Sequence, residues 1–152
     1  MLNDSNALLV GAAGSGKTAS TAMMFVLYAR LNNFEVTILD GKDGLDWKPL
    51  GDAFKVDWRP LDHTNLPFYI EALQQEYKRR NKILAAGGYK NLGEYPGNDM
   101  PRLLIVIEEL GGTVQDISTY GGNAKQVVGQ LGGLMKRCLS LIHISEPTRL
   151  AT

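Results

Sequence analysis

Residues 11 to 18 read Gly11-Ala12-Ala13-Gly14-Ser15-Gly16-Lys17-Thr18, with the apolar run Ala7-Leu8-Leu9-Val10 before them and a helix-compatible stretch after them. That order constrains the fold closely: a buried strand has to feed a glycine-rich turn that opens directly into a helix. Gly11, Gly14 and Gly16 let the backbone turn so that successive N–H groups point inward, and the helix adds the positive end of its dipole. The pattern predicts a phosphate-binding loop. Gly11, Ala12, Ala13, Gly14, Ser15, Gly16, Lys17, Thr18 and Ala19 form the cradle. Lys17 reaches the β- and γ-phosphates as a catalytic group, and Thr18 offers its hydroxyl to a metal. The cofactors implied are ATP and Mg²⁺.

The neighbouring segments carry the matching periods. Ala22, Phe25, Val26 and Ala29 recur at intervals of three and four, Met23 and Leu27 broaden the face, and Arg30 suits the last turn before Asn32-Asn33 stops the helix. Val36-Thr37-Ile38-Leu39 is a short β-branched run without helical period, as a strand buried on both faces requires. Strand, crossover helix and strand define an α/β chain. A second buried strand, Leu103-Leu104-Ile105-Val106-Ile107, ends in Glu108-Glu109. In a Walker B arrangement the first acid holds Mg²⁺ and the second polarises the attacking water, which assigns Glu108 to the metal and Glu109 to catalysis. The first acid is more usually Asp, and Glu108 is one methylene longer.

Between these elements, Asp40-Gly41-Lys42 closes the second strand, where α/β loops meet a ligand; a plain turn is the equal alternative. Trp47 and Trp58 read as packing residues and flank Phe54-Lys55-Val56, a candidate short strand. A long helix is expected from near Pro67 to Gly87-Gly88, with Ile70, Leu73, Tyr77 and Leu84 as its apolar stripe. Lys78, Arg79, Arg80 and Lys82 beside it read first as a solvated face. The alternative is an arginine serving a neighbouring subunit's nucleotide or a nucleic-acid backbone, with Arg79 and Arg80 the candidates. Leu110-Gly111-Gly112 through Gly121-Gly122-Asn123 reads as a polar loop, followed by a helix bearing Ala124, Val127, Val128, Leu131, Leu134 and Met135 on one face.

Composition excludes several classes. The 152 residues suffice for one domain with a real core, and 16 basic against 16 acidic side chains announce no nucleic-acid partner through net charge. Cys138 is the single thiol, so no internal disulfide forms. His63 and His143 have no ligand at zinc spacing. No apolar stretch has membrane-spanning length, and Met1-Leu2-Asn3-Asp4 lacks a signal peptide's regions, so a cytoplasmic location is expected.

Taken together, these pieces resemble the FtsK/SpoIIIE group of the FtsK–HerA DNA-pumping ATPases. The resemblance runs over residues 6 to 138. It comprises Gly11 to Thr18; Asp40-Gly41-Lys42, where that family usually has Asp-Pro-Lys; and Glu76-Tyr77-Lys78-Arg79-Arg80. Asn91-Leu92-Gly93-Glu94-Tyr95, Pro101-Arg102 leading to Glu108-Glu109, and Gly133-Leu134-Met135-Lys136-Arg137 complete it. It implies a RecA/ASCE-like P-loop NTPase fold, an α/β three-layer sandwich with a mainly parallel sheet. It also implies a ring, hexameric in the intact protein, that hydrolyses ATP to move double-stranded DNA. A conjugative coupling ATPase or a viral packaging motor shares the same core, and a nucleotide-binding fragment without catalysis is the non-enzymatic alternative. GTPases need Asn-Lys-x-Asp, and Asn81-Lys82-Ile83-Leu84 lacks the Asp; the Leu-Ser-Gly-Gly-Gln signature of ABC transporters is absent.

Residues 139–152 depart from that pattern. Leu139-Ser140-Leu141-Ile142-His143-Ile144-Ser145-Glu146-Pro147-Thr148-Arg149 resembles the translation of a transposon-end sequencing adapter, and the family's Gly, apolar strand and sensor Gln do not appear. The expectation is therefore a partial motor domain over 1–138, incomplete at its C-terminus, and a non-native tail over 139–152. The alternative for the tail is a natural Ile-rich strand entering the sheet.

Overall fold

Alternating side chains of two central strands feed two separate cores, one on each face of a parallel sheet. The computed structural model describes residues 7–10, 22–42, 44, 47, 51, 53–137 and 142–148. In chain order these form β1 (Ala7–Val10), α1 (Met23–Leu31), β2 (Glu35–Asp40), β3 (Asp57–Pro60) and α2 (Leu66–Gly87). Then come a 3-10 turn (Leu92–Glu94), β4 (Leu103–Glu108), α3 (Leu110–Thr119), α4 (Ala124–Arg137) and β5 (Ile142–Thr148). The strand order is β1-β5-β4-β2-β3, and every pairing is parallel.

Strand alternation explains the layering. Val36 and Ile38 of β2 and Leu104 and Val106 of β4 pack with Ala22, Val26 and Ala29 of the α1 side, together with Phe34 and Trp47. Leu39, Ile105 and Ile107 point the other way, onto Leu66, Ile70 and Leu84 of α2, Ile117 of α3, and Val127, Leu131 and Leu134 of α4. A period of two with both faces apolar is what a sheet covered on both sides demands. The three-layer α/β sandwich expected from the sequence is the observed architecture.

The helix ends follow local chemistry. Asn33, with φ of 60°, turns the chain out of α1 into β2, and Arg30 donates from Nη1 to the Phe34 carbonyl (2.8 Å) and from Nε to the Phe54 carbonyl (2.9 Å). α2 carries a proline in its first turn and ends at Gly88, whose φ of 73° suits a residue without Cβ.

Three segments differ from expectation. Residues 53 and 54 are helical, and the strand begins at Asp57 instead; Val56 joins the core on the α1 side, and Phe54 is exposed. Leu110–Thr119, expected as loop, is a ten-residue helix. Gly111 and Gly112 are tolerated there because a Cβ at either position would meet nothing within 4 Å, so they are surface positions and not packing contacts. Finally, residues 142–148 of the segment set aside as a tail pair as β5 between β1 and β4. Such pairing depends on β-propensity, not ancestry. Pro147 lies opposite Leu9 of β1, beyond Ser145, the last residue in register with β4, so its missing N–H spares that side of the ladder.

Candidate functional site

Parallel strands deliver all their C-terminal ends to one edge, and here that edge collects the acids. Ser145 of β5 is level with both Ala7 of β1 and Val106 of β4. Val10, three residues beyond Ala7, ends β1, and Glu108, two beyond Val106, ends β4, so the two strands finish within about one residue of the same height, two strands apart, or roughly 10 Å in the hydrogen-bonding direction. The chain therefore leaves β1 towards position 11 at the edge where β4 ends. The cradle itself, Gly11, Ala12, Ala13, Gly14, Ser15, Gly16, Lys17, Thr18 and Ala19, lies outside the described residues.

Glu108 is the last residue of β4 and is 1% exposed. A buried carboxylate needs strong donors, and two come from the segment after β2. Lys42 Nζ lies 2.8 Å from Glu108 Oε1, and the indole N–H of the buried Trp47 donates to Oε2. Glu109 adopts φ of 60° and ψ of 33° as it opens α3, a left-handed conformation that costs a non-glycine residue on the order of 1 kcal/mol or more. Its carbonyl is fixed by Thr113, which donates from both N and Oγ1 at 3.1 Å. Its carboxylate lies 3.7 Å from the same Lys42 ammonium.

The Asp40-Gly41-Lys42 turn is laid directly onto these acids. Gly41 N donates to the Glu108 carbonyl (3.1 Å), extending the β2–β4 ladder by one bond. The approach is so close that a Cβ at Gly41 would stand 2.8 Å from that carbonyl oxygen and 3.0 Å from Glu109 Cβ. Asp40, also buried, accepts from Lys42 N (2.7 Å) and from Trp58 Nε1 (2.9 Å). Both tryptophans thus pack as the sequence suggests, and both also spend their indole N–H on a carboxylate. Residue type gave no sign of those particular bonds.

Among the described residues, no group of three or more His, Cys, Asp or Glu side chains is placed to hold a metal. Mg²⁺ beside a nucleotide needs just one or two carboxylates, since phosphates and waters complete its shell. Glu108 and Glu109 supply two carboxylates, although both oxygens of Glu108 are engaged by Lys42 and Trp47 here, so a metal at Glu108 would have to displace one of these donors; an all-protein cage is absent from the described residues.

Arg79 and Arg80 stand at the other end of the sheet. Arg80, 2% exposed, donates from Nε to Glu76 Oε1 (2.6 Å) and from Nη1 to the Pro101 carbonyl (2.6 Å). Pro101 precedes the start of β4 and Glu108 ends it, a separation of about 17 Å or more along the strand. A buried, doubly engaged guanidinium cannot extend to a neighbouring subunit, so Arg80 is removed from the candidates for that role. Arg79 is half-exposed and grips Glu76 through Nε and Nη2 at 2.7 and 2.8 Å. The hydrogen bonds from Arg79, reinforced by the one from Arg80, hold the Glu76 carboxyl at about 2. A cleft of about 410 Å³ on the α2 face is lined by Glu35, Asp57, Arg59, Glu76 and Arg80 and includes neither Glu108 nor Lys42.

With this geometry in hand, comparison with known proteins finds the same α/β fold among solved structures. The solved structure of the pCW3 conjugation coupling protein TcpA, in monomer form with ATPγS, superposes with a TM-score of 0.67 at 20% sequence identity. The match covers 96% of this chain and 43% of that one, so the chain spans less than half of the neighbour's length. At this identity the likeness establishes the fold alone. No protein-family model and no curated protein matches the chain. Among the described residues, no helix is long and apolar enough to cross a membrane.

Proposed function

We propose that this chain is the nucleotide-binding core of an ATP-driven motor acting on double-stranded DNA, with Mg²⁺ as its metal. The observation that carries the reading is the common edge: β1 runs out towards Gly11 at the edge where β4 ends in Glu108, two strands away. In this reading Gly11 to Ala19 cradle the phosphates, Lys17 neutralises the β- and γ-oxygens, and Thr18 and Glu108 hold Mg²⁺. When bound, the metal neutralises charge on the phosphate oxygens. Glu109 orients the attacking water. The left-handed turn at Glu109 supports this role, because it brings the carboxylate beside Glu108 instead of sending it to the opposite face of the strand.

DNA as the cargo and a hexameric ring rest on the resemblance to FtsK/SpoIIIE motors. The fold shared with a conjugation coupling protein solved with ATPγS favours a conjugative coupling ATPase as the specific alternative. The test pairs equilibrium binding of a labelled ATP analogue with phosphate release, each with and without duplex DNA. Lys17→Ala is expected to abolish hydrolysis, and Glu109→Gln to bind without release. Undiminished turnover by Glu109→Gln would remove the assigned base. Binding without release by the unmodified chain would make it a nucleotide-binding module.

A further inference from the structure

Consecutive residues of a strand send their side chains to opposite faces, so Glu108 and Glu109 would ordinarily point away from each other. The left-handed backbone at Glu109 cancels that alternation, and one ammonium, Lys42 Nζ, lies 2.8 Å from an oxygen of the first acid and 3.7 Å from an oxygen of the second. Two carboxylates brought this close repel one another, and a shared cation offsets the repulsion. Lys42 is itself held from several sides. Its backbone N–H donates to Asp40 Oδ1, Gly41 beside it bonds the Glu108 carbonyl, and Asp40 is braced by Trp58. The lysine is only about one-third exposed, and its position is set by backbone bonds, not by chance packing.

From this we infer that Lys42 is the positioning residue of the acidic pair: its ammonium fixes the Glu108 and Glu109 carboxylates in one shared orientation, so the turn after β2 governs where the water-orienting acid stands. The inference rests on the role given to Glu109 above, and it adds a residue whose sequence context is equally that of a plain turn. Trp47 supplies an internal reporter, since its indole donates to the other oxygen of Glu108 and Trp58 is the only other tryptophan.

The test uses the whole chain in a Trp58→Phe background, in which Trp47 alone emits, and each variant is compared with Trp58→Phe itself, because that change removes the Trp58–Asp40 bond. Lys42→Met is expected to shift Trp47 emission and to lower kcat on the order of 100-fold, the scale of a misplaced catalytic group, with KM for Mg-ATP nearly unchanged. Lys42→Arg, which returns a cation to the same place, is expected to restore both. Adding Lys42→Met to Glu109→Gln should cause no further loss of turnover, because the group being positioned is already gone. Unchanged emission and kcat in Lys42→Met, a rise in KM with kcat intact, or no rescue by arginine would each overturn the proposal. Should the unmodified chain release no phosphate, the hydrolytic reading fails by itself. The emission comparison then decides Lys42 alone, an arginine-reversible shift upholding it and a flat response refuting it.

Discussion

Arg80 lies in the part of the molecule where sequence composition is most misleading, and its replacement by methionine has a calculable cost. Methionine keeps much of the unbranched stem and removes the guanidinium, so little cavity forms and the loss is mainly polar. Two bonds disappear, Nε to Glu76 Oε1 and Nη1 to the Pro101 carbonyl, both 2.6 Å and both from a side chain 2% exposed. The Pro101 carbonyl is partly buried, so losing its donor costs towards the lower end of about 1–3 kcal/mol, and a hydrogen bond to a charged partner contributes about 1.5–3 kcal/mol. Glu76 keeps its two bonds from Arg79, which limits the second loss, so a total near 3 kcal/mol is expected. For 152 residues, an unfolding entropy of about 2.1 cal/mol/K per residue makes that a fall in Tm of about 9 °C. Differential scanning calorimetry of Arg80→Met beside Arg79→Ala measures it. Arg79 is half-exposed, and such pairs contribute about 0–1 kcal/mol, or no more than about 3 °C. Equal Tm values for Arg80→Met and the unmodified chain would refute the assignment of Arg80 as an internal tie and reopen it as a group for a partner.

Two further outcomes follow from the same geometry. Gly41→Ala places a Cβ 2.8 Å from the Glu108 carbonyl oxygen and 3.0 Å from Glu109 Cβ. Neither neighbour is the far end of a flexible side chain, so a loss of about 1–3 kcal/mol in urea unfolding is expected, with phosphate release falling in parallel as Lys42 is displaced. The Glu76 carboxyl is lowered from 4.5 to about 2, so its stabilisation is fully present above pH 4.5 and is lost as pH falls from 4.5 towards 2. Allowing for solvent screening, that amounts to about 1–2 kcal/mol, and Glu76→Gln should flatten the urea midpoint across that window alone.

What the sequence made legible was whatever is written in a period or a spacing. Val36-Thr37-Ile38-Leu39 and Leu103 to Ile107 predict buried strands because parallel sheets covered on both faces leave no room for polar alternation. Pro67 and Gly88 bracket α2 because each suits one helix end. The failures share a different cause. α3 was hidden because Leu110-Gly111-Gly112 carries two residues of poor helix propensity, about 1 kcal/mol each relative to Ala. Tertiary packing of Thr113 and Ile117 overrides that local preference. The basic cluster on α2 was ambiguous because a helix face is defined by what packs against it, and nothing in Glu76-Tyr77-Lys78-Arg79-Arg80 announces that Pro101 supplies a carbonyl to Arg80. β5 sat in residues excluded on grounds of origin, which have no bearing on whether a backbone can pair.

The candidate site shows the same division within a few residues. Glu108-Glu109 was readable because an apolar strand ending in two acids is a local pattern. Its electrostatic environment was not, because Lys42, Trp47 and the acids are joined across more than sixty positions of chain. The two halves connect through one backbone fact, the positive φ at Glu109. With ordinary strand geometry, the second acid would turn to the far face, and a lysine on the β2 edge could meet only one carboxylate. With the left-handed turn, both acids share that lysine and a helix starts at once, its first turn closed by Thr113 on the Glu109 carbonyl. The strain at one residue is thus tied to two consequences, the convergence of the acids and the existence of α3. A β-branched residue, which resists positive φ, should therefore weaken the start of α3: Glu109→Val is expected to lower stability in urea unfolding more than Glu109→Gly, which accepts the left-handed turn.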